Sequence, residues 1–252
     1  MAIPGLGANP AKSWMWYEKD DKSFNWLSHD GGLKKDFPKA RVMFYCYASA
    51  YKGPYKIKQY MVNIATMMLN ALQLRREVCC PPIPPEYSPS LGQQLTEITR
   101  QESSRRPIVL IGHSMGGLVA AKVLTMTEVL RDIYPNMYES IVGILTFGTP
   151  FGGAPVAEIA RERVKMNKAA GLAVESKLLE LMKPGSEWLR ELRKEFVRSA
   201  GKLGQKVELH CFWERLPTPW DAIIDKLSGT AFPDASLNRL RLDVSNFPLL
   251  SG

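Results

Sequence analysis

Hydrophobic positions along the chain alternate between two kinds of pattern. Short runs rich in β-branched and aromatic residues occur at 41–48 (RVMFYCYA), 108–111 (IVLI), 141–147 (IVGILTF) and 207–213 (VELHCFW), with a weaker run at 237–244 (LNRLRLDV). Such runs predict strands. Apolar residues stand at both parities within them, so the strands should be covered on both faces, as in a parallel sheet. Between the runs the period changes to 3.6. Residues 57–74 carry Tyr60, Ile64, Met67, Met68 and Ala71 on one stripe, and 117–130 carry Leu118, Ala121, Val123, Leu124 and Val129. Residues 186–197 place Trp188, Leu189, Leu192 and Phe196 on one face, with Ser186 as N-cap. These spacings predict amphipathic helices. Pro184-Gly185 separates the last of them from an earlier helix over 174–182.

Strands alternating with helices predict an α/β fold with right-handed crossovers. Residues 151–205 are helical with no strand signal, which predicts a helical cap insert over the sheet within a single 1–252 domain. Five prolines within 81–89 predict an extended surface loop, because proline forbids helix and most sheet pairing.

Composition narrows the function classes. The chain has 252 residues, of which 45% are apolar and 23% charged. That is an ordinary globular composition, large enough to build a core without disulfides or metal. It excludes disorder throughout. The formal charge is +8, which raises nucleic acid or an anionic membrane surface as partners. The basic residues are interleaved with acids, as in Arg161-Glu162-Arg163 and Arg190-Glu191-Leu192-Arg193-Lys194-Glu195, so they read as solvated helix faces and no nucleic-acid partner is expected. Cys46, Cys79, Cys80 and Cys211 show no CxxC spacing. They support neither a disulfide framework nor a zinc site, and fit a reducing, intracellular and cytoplasmic setting. Residues 1–10 lack the basic and apolar regions of a signal peptide, and no apolar run is long enough for a transmembrane segment. No cofactor or metal is expected.

One pentapeptide carries chemistry. Gly112-His113-Ser114-Met115-Gly116 is a GxSxG motif. Alone it is a weak signal. It stands, however, between a predicted strand and a predicted helix, which is the setting of a nucleophile elbow. The turn is sharp, so Gly112, Gly116 and Gly117 would give room around Ser114. The backbone N–H of Met115 would then face an oxyanion developing on a substrate that Ser114 attacks.

These and neighbouring stretches resemble the lipase-like serine esterase family of the α/β hydrolases, a group rich in fungal members. It is related to GPI inositol-deacylases and to N-terminal hydrolase domains of NLR-like proteins. The resemblance rests on GLGANPAKSW (5–14), WLSHDGGLKKDFPKARVMFYCY (26–47), RPIVLIGHSMGGLVAAKVL (106–124) and GILTFGTPFGGA (143–154). A weaker tail match runs through FWERLPT, IIDKLSG and LRLDVSN. The resemblance implies an α/β-hydrolase fold with a mostly parallel doubly wound sheet. It also implies hydrolysis of carboxylic esters, lipid or small acyl, with Ser114 as nucleophile.

A serine nucleophile needs a base to take its proton and an acid to orient that base. In this fold they follow the serine in the order acid, then histidine. Strand 141–147 ends in Gly148-Thr149-Pro150, without a carboxylate; strand 207–213 leads to Glu214, where the family motif has its glutamate. Glu214 is the candidate acid, with Asp221 and Asp225 as alternatives. The family tail usually reads Asp-His-Ser-Asn, whereas this chain reads Asp243-Val244-Ser245-Asn246. Valine cannot accept a proton. His113 should point away from the nucleophile, His210 lies inside a strand, and His29 falls in an early loop. No base is identified, and a catalytically impaired pseudo-hydrolase or truncated binding module is the alternative. At the start, Ile3-Pro4-Gly5-Leu6-Gly7 stands where the family has His-Gly, with Leu6 as second oxyanion donor. The strand preceding that loop should lie between 41–48 and 108–111, and is expected to be missing.

Overall fold

Ala2 and Ile3 form a strand, β1, between a later strand of the sheet and an isolated bridge to Phe44. The computed structural model describes residues 1–5, 8, 12–17, 23–47, 60–77, 105–153, 181–203 and 207–212. Strand β1 (Ala2–Ile3) runs parallel to a later strand (Ile108–His113), with Ala2 opposite Ile111 and Ile3 opposite Gly112. On its other side Ala2 forms a parallel bridge with Phe44. The Ala2 N–H donates to the Met43 carbonyl at 2.7 Å, and the Tyr45 N–H donates to the Ala2 carbonyl at 2.8 Å. The expected gap in the sheet is therefore a correction: its place is filled. Two residues satisfy the backbone groups facing them on both sides. So short a strand carries no readable period.

The remaining elements follow in chain order. A small antiparallel hairpin pairs β2 (Met15–Tyr17) with β3 (Ser23–Asn25), and a one-turn helix α1 (Leu33–Asp36) follows. Then come α2 (Met61–Glu77), β4 (Ile108–His113), α3 (Met115–Val129), the single turn α4 (Met137–Ser140), β5 (Ile141–Phe147), α5 (Glu187–Lys202) and β6 (Glu208–Phe212). The main sheet has the order β1-β4-β5-β6, all parallel. His113 pairs with Phe147 and Phe147 with Phe212, so the three later strands end level at one carboxyl edge. The described part of the run predicted at 41–48, residues 41–47, is less regular than its composition predicts; within it only Phe44 forms a bridge.

Each face of the sheet has its own apolar cover. Helices α2, α3 and α5 cover one face. Ile64, Met68 and Leu72 from α2, Leu118 and Leu124 from α3, and Leu189, Leu192 and Phe196 from α5 are buried there with Leu110 and Ile144 of the sheet. Helix α3 is buried almost all round because it lies between the sheet and the other two helices. The opposite face is covered by Trp14 and Leu27, which pack on Ala2 and Ile111 with Trp26 and Phe147 at the margin.

Helix α5 belongs to the insert predicted as a cap, yet it lies in the helical layer beside α3. Lys202 Nζ and Ser199 Oγ donate to the Glu128 carboxylate at 2.7 and 2.6 Å, and Lys122 pairs with Glu195 at 3.0 Å. These ties add polar clamps to the packing of Leu189, Leu192 and Phe196. Ser186 occupies the N-cap position without a side-chain capping bond; its carbonyl accepts from the Arg190 N–H at 3.1 Å. The rest of the insert, 154–180, lies outside the described residues, as do the proline-rich 81–89 and the weaker run 237–244. No helix among the described residues is long and apolar enough to cross a membrane.

Candidate active site

Ser114 is the corner between β4 and α3. Its backbone has φ 51° and ψ −124°, a sparsely populated region for a residue with a side chain. Such a conformation costs about 1–3 kcal/mol and persists only when its surroundings hold it. Three hydrogen bonds do so. The Ser114 N–H donates to the Phe147 carbonyl at 2.8 Å, while the Ser114 carbonyl accepts from the Gly117 N–H at 3.1 Å and from Thr149 Oγ1 at 3.0 Å. The serine side chain makes no capping bond to the helix it precedes.

The corner is tight on every side. A Cβ on Gly112 would stand 2.5 Å from Gly117 Cα, and one on Gly116 would stand 2.1 Å from the Ile3 carbonyl oxygen. At Gly117 the space is filled by Thr149, whose Oγ1 would lie 2.1 Å from an added Cβ. Glycine at these positions lets backbone and hydroxyl approach where any side chain would collide.

The chain leaving β1 crosses in front of the serine. A Cβ on Gly5 would lie 3.1 Å from Ser114 Cβ and 3.4 Å from His113 Nδ1. Pro4 is held by a buried hydrogen bond from Tyr47 Oη to its carbonyl at 2.9 Å. Tyr47 in turn stacks on Tyr45, with ring centroids 5.6 Å apart, and Tyr45 Oη donates to the Ile64 carbonyl at 2.8 Å. The tyrosine pair thus ties the loop start to α2. Burial pushes the Tyr45 hydroxyl up to about 12, so it stays a donor across the neutral range. Met115 takes the first position of α3, where helix N–H groups lack intrahelical acceptors. Leu6 lies outside the described residues.

None of the three histidines is set beside the serine as a proton acceptor. His113 packs its ring edge-on to Trp14 at 6.5 Å, and its Nδ1 is buried without a hydrogen-bond partner, as is Trp14 Nε1. Burial lowers the His113 pKa, so the ring is held neutral. His210 stands in β6 opposite Leu145, two residues short of the carboxyl edge. His29 Nδ1 accepts from the Gly31 N–H at 3.0 Å in an exposed loop, beside the Phe24 ring. Glu214, Asp221, Asp225 and Val244 lie outside the described residues. Among the described residues no group of His, Cys, Asp and Glu could hold a metal ion.

The structure therefore brings Gly112, Ser114, Met115 and Gly116 together with the Pro4-Gly5 turn. Sequence reasoning missed Tyr47 and Thr149. Their partners stand 43 and 35 residues away, and no local spacing announces such a bond. The one trace is the glycine directly after the motif, Gly117, whose missing side chain makes room for Thr149.

Residues 59–182 match the family model described as the PGAP1-like alpha/beta domain. The matched segment, just under half of the chain, is similar to a lipase-like α/β hydrolase domain. It includes the elbow, β5 and the Gly148-Thr149-Pro150 turn. No curated protein matches the chain. Among solved structures, phospholipase PlaB from Legionella pneumophila in complex with thio-NAD is similar at 12% identity and a TM-score of 0.50, over 90% of this chain and 43% of that one. A second structure of the same phospholipase gives 12% identity and a TM-score of 0.49, over 90% and 44%. The mature lipase BlEst2 of Bacillus licheniformis is similar at 12% identity and a TM-score of 0.46, over 95% of this chain and 80% of that one. The chain thus spans under half the length of the phospholipase. At this identity the likeness is one of fold, the α/β-hydrolase fold.

Proposed function

We propose that the chain is a serine hydrolase acting on carboxylic esters of lipids or small acyl groups, with Ser114 as nucleophile. The observation that carries this reading is the strained Ser114 backbone at the strand-to-helix corner, with its hydroxyl not used as a helix cap. A conformation that costs stability and leaves the hydroxyl uncommitted is suited to attack rather than to packing. In the reaction Ser114 Oγ would bond to the ester carbonyl carbon, and the oxyanion would meet the N–H groups of Met115 and Leu6. Glu214 is the proposed acid. The lipase-like family supports the ester class. The alkoxide leaves with a proton, and water then releases the acid from the acyl-serine.

The base is the open position, because residue 244 is valine. That observation favours a second reading, a pseudo-hydrolase that binds esters without turning them over. A fluorophosphonate probe separates the two. It forms a phosphorus–oxygen bond at Ser114 and expels fluoride. Labelling of the wild-type chain, abolished in Ser114→Ala, is the expected result; absence of labelling across the pH range would defeat the hydrolase reading. Val244→His then measures the missing base. Loss of a triad member can cost on the order of 10⁶ in turnover. A gain of several orders of magnitude in ester hydrolysis would show that only the base was lost.

A further inference from the structure

Thr149 stands in the turn after β5, one residue beyond Gly148, which has φ 53°. It is buried, with 2% of its surface exposed. Its hydroxyl donates to the Ser114 carbonyl at 3.0 Å, on the same oxygen that accepts from the Gly117 N–H at 3.1 Å. Its side chain also occupies the space against Gly117, where an added Cβ would stand 2.1 Å from Oγ1 and 2.7 Å from Cγ2. The hydroxyl is thus lodged between the two ends of the first helical turn.

The consequence follows from peptide geometry. The Ser114–Met115 peptide is planar and trans, so its C=O and N–H point in opposite directions. Whatever pins the Ser114 carbonyl inward aims the Met115 N–H outward. Two donors on that carbonyl fix the rotation about ψ of Ser114, and one of them is a side chain that evolution or mutagenesis can change. We propose that Thr149 is a positioning residue that holds the Ser114 carbonyl and so aims the Met115 N–H at the oxyanion. This rests on the serine-hydrolase reading for its chemical purpose, but the pinning itself is a property of the fold.

The experiment compares Thr149→Val, which keeps the shape and removes the donor, with Thr149→Ser, which keeps the donor. Two readouts are taken on the full chain: the second-order rate of fluorophosphonate labelling and the ¹³C resonance of the Ser114 carbonyl. Loss of one hydrogen bond of ordinary strength at the transition state predicts a labelling rate about tenfold lower in Thr149→Val. Thr149→Ser should stay within about threefold of the wild type. With an ester substrate, kcat should fall and KM should hold. The carbonyl resonance should move upfield in Thr149→Val and remain in place in Thr149→Ser. Unchanged labelling in Thr149→Val, an equal loss in Thr149→Ser, or an unmoved carbonyl resonance in Thr149→Val would overturn the proposal. If the wild type itself is not labelled, the hydrolase reading has failed, and the carbonyl resonance alone decides whether Thr149 pins the corner. If Thr149→Val does not fold, Thr149→Ala removes the same donor and is read against Thr149→Ser in the same way.

Discussion

The carbonyl oxygen of Ile3 stands where a side chain on Gly116 would begin, 2.1 Å from the position of its Cβ. The Pro4 carbonyl lies 2.8 Å from the same point. Strand β1 and the first turn of α3 therefore touch backbone to backbone, more than a hundred residues apart in sequence. This contact fixes the spacing between the end of β1 and the first turn of α3.

Gly116→Ala tests that contact. In an ordinary helix interior the change stabilises by about 1 kcal/mol. Here both obstructing atoms are backbone, so the strand or the helix must shift, and destabilisation of about 3 kcal/mol is expected. Denaturant unfolding measures it. A variant at least as stable as the wild type would show that β1 does not sit against α3.

Ser114→Gly should separate stability from activity. Glycine adopts positive φ without the penalty that serine meets at φ 51°. Relief of that strain, less the added entropy of an unfolded glycine, predicts a net gain of about 1 kcal/mol. For a chain of this length that raises Tm by about 2–4 °C. Fluorophosphonate labelling should vanish in the same variant. A lower Tm would mean that the corner is not strained.

His113 gives the fold an acid-side weakness. Burial depresses its pKa in the folded chain below the ordinary value of 6.5. Below pH 6.5 the unfolded chain takes up a proton that the folded chain refuses. The stabilisation from neutral His113 is full above pH 6.5 and declines as pH falls toward the lowered folded pKa, with a slope of up to about 1.4 kcal/mol per pH unit. His113→Asn removes this contribution, so the difference between wild-type and variant stability should shrink on acidification from pH 6.5. Parallel stability curves would contradict it.

Glu214 is distinguished from its alternatives by substitution. In the Val244→His background, Glu214→Gln should lower the labelling rate of Ser114 by at least about tenfold, because the acid orients the restored base. Asp221→Asn and Asp225→Asn should leave the rate within about threefold. If either aspartate variant shows the larger loss, the acid follows β6 at a later position. In the unsubstituted chain, with valine at 244, the same comparison should narrow, since the acid acts through the base.

The local features of the chain were legible from its order of residues. Runs such as 141–147 and stripes such as Leu118, Ala121 and Leu124 declare strand and helix because the period of burial is set by the backbone alone. The strand-to-helix corner was legible for the same reason: Gly112, Ser114, Gly116 and Gly117 are neighbours in sequence, so their joint demand for tight geometry is written in one stretch. Tertiary structure decided what no period can state. It placed Ala2 and Ile3 between Phe44 and Ile111, since a two-residue strand is recognised only by its partners. It laid Leu189, Leu192 and Phe196 against α3, because an amphipathic face specifies that it is buried and not what buries it. It set the Thr149 hydroxyl on the Ser114 carbonyl and the His113 ring against Trp14. Contacts between residues distant along the chain depend on how whole elements stack, and that stacking is the sum of many weak apolar contacts rather than the property of any one segment.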